Sequence, residues 1–392
     1  MKETKEHIAT KKLSPQLRFK EFDGSWESKP CIVLFKNIRT KGHKGLPIYS
    51  VTLDRGMIPR NTLDRKTENA ANPNDNILVA KNNISYNMMR MWQGAFGKAP
   101  EDCMVSPAYV VLEPKKDVLT DFFIEYFYKK RSVYLFTAYS YGLTSDRLRL
   151  YFKDLARIKF NVPLLPEQQK IASFLSAVDD KIQQLTKKKK LLEHYKKGVM
   201  QQLFSGQLRF KDENGKDYSD WEETKLVECV LSNEKSKIQV NEISANVKNK
   251  ENKFPFFTSG EKVFYSKKYL IENENIFMST GGKATVQFYN GRCSYSTDTF
   301  SFSSNIDYSA GFIFYFLQNI ILKIENQYFY GSGLKHLDKK GIMKYKLLAP
   351  SQAEQQKIAT YLSRIDSKIR AVNTQITQTQ TFKNGLLQQL FV

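Results

Sequence analysis

Histidine and cysteine are scarce in this chain of 392 residues, four of each, and neither type is grouped. Cys31, Cys103, Cys229 and Cys293 stand 72, 126 and 64 residues apart, with no CxxC and no histidine pair nearby. That spacing indicates neither a zinc site nor a disulfide framework. His7, His43, His194 and His336 are scattered. Long apolar runs are missing too: the longest, Phe312 to Leu317, is followed by Gln318 and Asn319 and is too short to cross a bilayer. Met1 to Lys20 is polar and lacks the apolar centre of a signal peptide, so a cytoplasmic location is expected. The sequence contains no P-loop, HExxH, GxSxG or Asp/Asn-Pro-Pro-aromatic methyl-transfer motif, and its carboxylates form no nuclease pattern. The expectation is a chain without catalytic residues, metal or cofactor of its own, whose chemistry belongs to partners.

Acidic residues are the minority charge, 40 against 61 lysines and arginines, giving +21 and a pI near 9.5. Such a balance points to an anionic partner, and with no spanning segment nucleic acid is favoured over membrane. The excess lies in the body of the chain: residues 28–160 carry 22 basic and 12 acidic residues, and residues 222–349 carry 17 and 13. Hydrophobic content of 41% and aromatic content of 13% suffice for two or three domains with their own cores.

What the sequence does have is a repeat. Glu167-Gln168-Gln169-Lys170-Ile171-Ala172 through Gln201-Gln202-Leu203-Phe204 matches Glu354-Gln355-Gln356-Lys357-Ile358-Ala359 through Gln388-Gln389-Leu390-Phe391 at a constant offset of 187, with 17 of 38 positions identical. Apolar residues at Ile171, Leu175, Val178, Ile182 and Leu185, and at Ile358, Leu362, Ile365, Ile369 and Val372, alternate steps of four and three. This is a heptad seam, and these ten residues are the expected helix-pairing positions. Pro166 supplies a start signal and Ser205-Gly206 a stop. Lys189, Lys196, Thr379 and Lys383 interrupt the seam, and polar residues there suit a specified register. Thirty-eight helical residues make a rod roughly 57 Å long. The segment from about 222 to 349 must join the end of one rod to the start of the other, which antiparallel rods permit most easily.

A second phrase, Gln16-Leu17-Arg18-Phe19-Lys20 ahead of Trp26, returns as Gln207-Leu208-Arg209-Phe210-Lys211 ahead of Trp221. In mid-chain it directly follows a repeated helix, whereas at the ends of the chain it is split from it. The order is that of a circularly permuted tandem repeat with pseudo-two-fold character, its N-terminal segment docking beside its C-terminal helix; residues 1–13 read as a lysine-rich arm. The regions between the helices share a skeleton: Pro47–Ser50 echoes Pro255–Thr258, Asn76–Val79 echoes Asn275–Met278, Cys103–Ser106 echoes Cys293–Ser296, and Phe123–Phe127 echoes Phe312–Phe316. Tyr109–Leu112 and Thr299–Phe302 read as strands, with the Phe123 and Phe312 segments as following helices. The fold class is therefore α+β: two mixed α/β domains separated by two long antiparallel coiled-coil helices. The divisions fall at 1–27 (arm and N-terminal segment), 28–162 (first domain), 163–221 (central helix and linker), 222–349 (second domain) and 350–392 (C-terminal helix).

The diverging parts of the two domains are polar and basic. Arg55, Arg60, Asn61, Lys81, Asn82, Asn83, Arg90, Gln93 and Lys98 in the first, and Lys262, Lys267, Lys268, Lys283, Thr285, Gln287, Asn290 and Arg292 in the second, are the side-chain types that meet phosphates and base edges. Tyr141-Gly142-Leu143-Thr144-Ser145-Asp146-Arg147 and Tyr330-Gly331-Ser332-Gly333-Leu334-Lys335-His336 are glycine-bearing loops with hydroxyls and bases, suited to a phosphate and equally to an ordinary turn. Thr144, Ser145, Arg147, Ser332, Lys335 and His336 join the candidates for DNA binding.

Two variable regions between repeated helices, the opening Pro163-Leu164-Leu165-Pro166-Glu167-Gln168-Gln169-Lys170-Ile171 and the Trp-led domain starts resemble the specificity subunit of type I restriction-modification systems. The second copy departs from that opening, with Pro350-Ser351-Gln352-Ala353 before Glu354. The resemblance implies two target recognition domains, each reading one half of a bipartite, asymmetric duplex site, and a helical ruler setting the gap. It also implies two modification subunits that carry S-adenosylmethionine and methylate adenine, and restriction subunits adding ATP- and Mg2+-dependent translocation and cleavage. Two other readings are a coiled-coil scaffold whose basic domains bind RNA or DNA without sequence preference, and a divergent nuclease or methyltransferase acting alone.

Overall fold

The structure is a computed structural model that describes residues 13–63, 75–144, 146–240, 243 and 253–392. The expected arm, apart from Leu13, and Ser145 lie outside the described residues. The chain forms two compact units, one from residues up to Leu185 together with Gln375–Val392, the other from Thr186–Thr374. Each takes its helical part from both ends of the repeat.

In the first unit, Phe35–Ile38, Tyr109–Pro114, Ile84–Asn87 and Phe96–Lys98 make a four-stranded antiparallel sheet in that spatial order. Val110 and Leu112 face one core and Val111 another, the period of two expected of a sheet covered on both faces. One face meets the helix Thr120–Tyr128, whose Phe122, Phe123, Tyr126 and Phe127 are all buried. The other covers a small layer in which Tyr49–Thr52 pairs with Gly56–Pro59 and Ile77–Val79 with Cys103–Val105. Glu27–Pro30 pairs with Lys159–Val162, so the domain is closed by its first and last strands just before the first long helix.

The second unit repeats the plan. Its sheet is ordered Val230–Ser232, Thr299–Ser304, Glu274–Ser279, Val286–Asn290, with the helix Ala310–Asn319 on one face and Phe257, Phe277, Cys293 and Tyr295 on the other. Glu222–Lys225 pairs with Lys346–Ala349. The expected echo of Asn76–Val79 with Asn275–Met278 is misplaced. Ile276 opposes Phe302 in the sheet as Ile84 opposes Leu112, so the counterpart of 275–278 is Asn83–Tyr86. Ile77 belongs to the small layer, opposite Val105. An Asn-Ile opening is common to both strands, and the wording of Asn76–Val79 is the nearer match to Asn275–Met278, so only the pairing identifies the counterpart.

The long helices span Leu165–Phe204 and Gln352–Gln389. Pro166 sits in the first turn, where its missing N–H costs nothing, and Gly206 ends the first helix at φ 75°. The second ends two residues earlier than its repeat, because the Gln389 carbonyl accepts the Leu17 amide at 3.0 Å and Phe391 turns onto Phe122 and Trp26. The N-terminal segment thus docks beside the C-terminal helix. Within each unit the start of one helix packs on the end of the other. Ile171, Leu175 and Val178 share a core with Leu386, Leu387 and Leu390; Ile358, Leu362 and Ile365 share one with Val199, Met200 and Leu203. Lys189 Nζ donates to Asn373 Oδ1 at 2.9 Å, and Lys196 Nζ lies 2.7 Å from Asp366. Seven residues up one helix is seven down the other, which is antiparallel pairing. Ile182 and Ile369 are half-buried on their cores, while Leu185 and Val372 are buried.

Candidate nucleic-acid interface

The opening phrases of the repeat are clamps. Arg18 donates to both oxygens of Glu167, Nε to Oε1 at 2.8 Å and Nη2 to Oε2 at 2.7 Å; Arg209 does the same to Glu354 at 3.3 and 2.8 Å. The hydrogen bonds to their glutamates raise the pKa of both arginines. The next residue, Gln168, accepts the Leu119 amide at 2.9 Å and donates to the Pro163 carbonyl; Gln355 accepts Ser309 N and donates to Pro350 O. Leu119 and Ser309 cap the helices beneath the sheets, so each Glu-Gln pair fixes one domain to one long helix. Gln168 and Gln355 were not among the expected site residues; their identity at the repeat offset was the available signal, and the structure adds that both are buried.

At the sheet edge each unit brings two loops together. In the first, the turn after Asn87 is held by the Asn87 Oδ1 acceptance of Met89 N at 2.9 Å and by Gly94 at φ 94°. The Tyr141 loop closes through mutual backbone bonds between Tyr141 and Arg149 at 3.2 and 3.0 Å. A Cβ at Gly142 would lie 2.2 Å from the Arg147 carbonyl oxygen, so the turn admits only glycine. The Leu150 amide donates to the Met88 carbonyl at 2.9 Å and joins the two loops. Exposed Arg90 and Gln93 on one, and Thr144 and Arg147 on the other, are thereby brought to one edge, and Arg149 and Lys153 join them. Lys153 lies 5.8 Å above the Tyr141 ring, and its hydrogen bond with that tyrosine raises its pKa.

The second unit is built the same way with other side chains. Ser279 Oγ accepts Thr285 N at 2.9 Å and donates to Lys283 O at 2.8 Å, shaping a turn with Gly282 at φ 76°. Phe329–Tyr330 pairs with His336–Leu337 around the second glycine-bearing loop, and Gly331 takes φ 139°. Leu337 N donates to Thr280 O at 3.0 Å, and Gly282 N to Lys335 O at 2.9 Å. Lys283, Ser332, Lys335 and His336 are exposed along this edge. Among the described residues, Arg90, Arg147, Arg149, Lys283 and Lys335 make no ion pair with a carboxylate, so their charge faces outward.

The other candidates sit elsewhere in their units. Arg55 is at the Tyr49–Pro59 hairpin tip, 3.5 Å from Asp54, with Arg60 and Asn61 in the following turn. Lys81 and Asn82, the latter at φ 70°, form an exposed turn held by Asp102. Asn83 is buried, and Lys98 is bonded to Asp121. Lys262 lies over Phe264, while Lys267 and Lys268 are exposed beyond the Phe264–Ser266 strand. Gln287 donates to the Gly260 carbonyl at 2.8 Å and Thr285 to Ser259 O at 3.1 Å, which are folding roles. Asn290 donates to Glu274, and Arg292 is paired with Glu272 at 2.9 Å over the Tyr269 ring. Among the described residues no group of three or more His, Cys, Asp or Glu side chains could hold a metal ion, and no helix is long and apolar enough to cross a membrane.

A family model described as the type I restriction modification DNA specificity domain matches the chain twice, over residues 29–194 and 218–379. The putative type I restriction enzyme MjaX specificity subunit of Methanocaldococcus jannaschii is 26% identical over 316 residues, 74% of this chain and 72% of that protein. The fold is that of a type I restriction-modification system S subunit from M. genitalium, with a TM-score of 0.62 at 16% identity over 97% of this chain and 99% of that one. A chain from a structure on complex assembly and conformational transition of the type I R-M system gives a TM-score of 0.56 at 13% identity over 95% and 98%. The chain belongs to the type I restriction-modification DNA specificity family. Its role is that of the specificity subunit of such a system.

Proposed function

We propose that this chain reads a bipartite, asymmetric DNA duplex, one half-site per domain, and that the two long helices set the unread gap. It does so without catalysis of its own. Two methyltransferase subunits carrying S-adenosylmethionine dock on it and methylate adenine in the cytoplasm, and restriction subunits using ATP and Mg2+ join through them. The observation that carries this reading is the two-loop basic edge, joined in each unit by an equivalent backbone bond, Leu150 N to Met88 O and Leu337 N to Thr280 O, and lined by different side chains: Arg90, Gln93, Thr144 and Arg147 in one unit, Lys283, Ser332, Lys335 and His336 in the other. Like scaffolds with unlike readers suit a target whose halves differ, and bases without carboxylate partners suit phosphates.

The test is selection from a random duplex pool by the purified chain, alone and co-expressed with a modification subunit. Two short constant blocks separated by a fixed random gap are expected, and replacing residues 28–162 with those of a relative should change one block only. A pool with no preferred duplex, bound with a steep loss on added salt, would establish a scaffold without sequence preference. Incubation of the chain alone with DNA, Mg2+ and S-adenosylmethionine is expected to give neither cleavage nor methylation.

A further inference from the structure

Each two-loop edge carries an apolar tip among its bases. Leu143 is 100% exposed, the most exposed large hydrophobic side chain among the described residues, and Leu334 in the counterpart loop is 65% exposed. Both loops are closed at their base by backbone hydrogen bonds. The Tyr141–Arg149 bonds and the Gly142 approach to the Arg147 carbonyl fix one; the Tyr330–His336 pairing and the Gly282 bond to Lys335 O fix the other. A Cβ at Gly331 would stand 2.6 Å from the Leu334 carbonyl oxygen, so this turn too is shaped around its leucine. A leucine left wholly uncovered at Leu143 and largely so at Leu334, on a backbone braced by hydrogen bonds and set among cations in both units, is placed for apolar surface on the anion those cations attract.

Resting on the reading of this chain as a duplex-DNA reader, we propose that Leu143 and Leu334 are wedges, each entering the stack at one base step of its half-site and prying it open. A duplex offers apolar surface in two places, the faces of stacked bases and the thymine methyl groups. A single apolar side chain on a braced loop, with basic residues on either side to hold the flanking phosphates, has the form of a residue that separates a step. Opening a step beside the target would also lower the cost of turning out a base for modification by a partner.

The test uses the full chain and the duplex recovered by selection, with 2-aminopurine moved through each half-site one position at a time. Wild type is expected to brighten one step per half. Leu143→Ser should abolish the signal in one half and Leu334→Ser in the other, each weakening binding about tenfold, while Leu143→Met keeps both signal and affinity. Both leucines are exposed, so unchanged thermal melting of the variants separates this from misfolding. A wild-type complex that binds its selected duplex with every probe dark overturns the wedge, and so does a signal that survives in the double serine variant. Loss of affinity on replacing a thymine by uracil, with the probes dark, assigns the leucines to a methyl group and overturns it as well. Failure to recover any preferred duplex overturns the reading of function and the wedge with it.

Discussion

Arg18 and Arg209 each satisfy a glutamate whose side chain is almost wholly buried, 4% exposed at Glu167 and 0% at Glu354. Removing one partner of such a pair leaves an uncompensated carboxylate, so Arg18→Ala should cost about 3 kcal/mol in denaturant unfolding, whereas a neutral result would show Glu167 held by something else. Glu125 behaves differently. Burial raises its pKa, and the approach of Lys383 at 2.9 Å does not reverse the shift. A carboxyl whose folded pKa is raised contributes stability that is complete below its ordinary value of 4.5 and is lost as pH climbs through the folded value. Glu125→Gln should therefore gain on wild type as pH rises from 4.5 through the folded value and hold that gain above it, read from melting temperatures across the range; parallel curves would contradict it. At the loop edge, Arg147→Ala and Lys335→Ala are each expected to lower the salt slope of DNA binding by about one, as single phosphate contacts do.

The polar interruptions of the helical seam become intelligible only as pairs. Lys196 meets Asp366 and Lys383 meets Asp179, each at 2.7 Å, and both lysines and both aspartates are identical at the repeat offset. Tyr315 also donates to Asp366 at 2.7 Å, so the pin ties the helix pair to the helix under the sheet. Lys196→Met should destabilise by 1 to 3 kcal/mol, roughly, and Asp366→Leu added to it should recover most of that, a coupling measurable in a double-mutant cycle. Additive losses would mean that the pair carries no register. The helices and their pairing faces were legible because heptad spacing survives in the linear order. The fourth interruption, Thr379, turns its hydroxyl to the Gln375 carbonyl within its own helix, a local role with no interhelical meaning.

At the scale of the molecule the continuous helices Leu165–Phe204 and Gln352–Gln389 each pass from one compact unit into the other, between Leu185 and Thr186 and between Thr374 and Gln375. A heptad inserted at both points leaves the packing inside each unit intact. It adds about 10 Å, or roughly three base pairs, with a rotation of only about 20°. The selected duplex should keep both blocks and widen its gap by about that number; an unchanged gap would show that the helices are not the ruler. Repeat, permuted order, basic body and helix seam were determined by the sequence alone, since each is a pattern in residue order, charge or hydrophobic period. Tertiary structure alone decided which strand answers which, because Asn83–Tyr86 and Asn76–Val79 both open with Asn-Ile and only their partner strands tell which one matches Asn275–Met278. It alone made the two-loop edges as well: the bonds from Leu150 to Met88 and from Leu337 to Thr280 run between backbone groups far apart in the chain, and a backbone bond leaves no mark on side-chain identity.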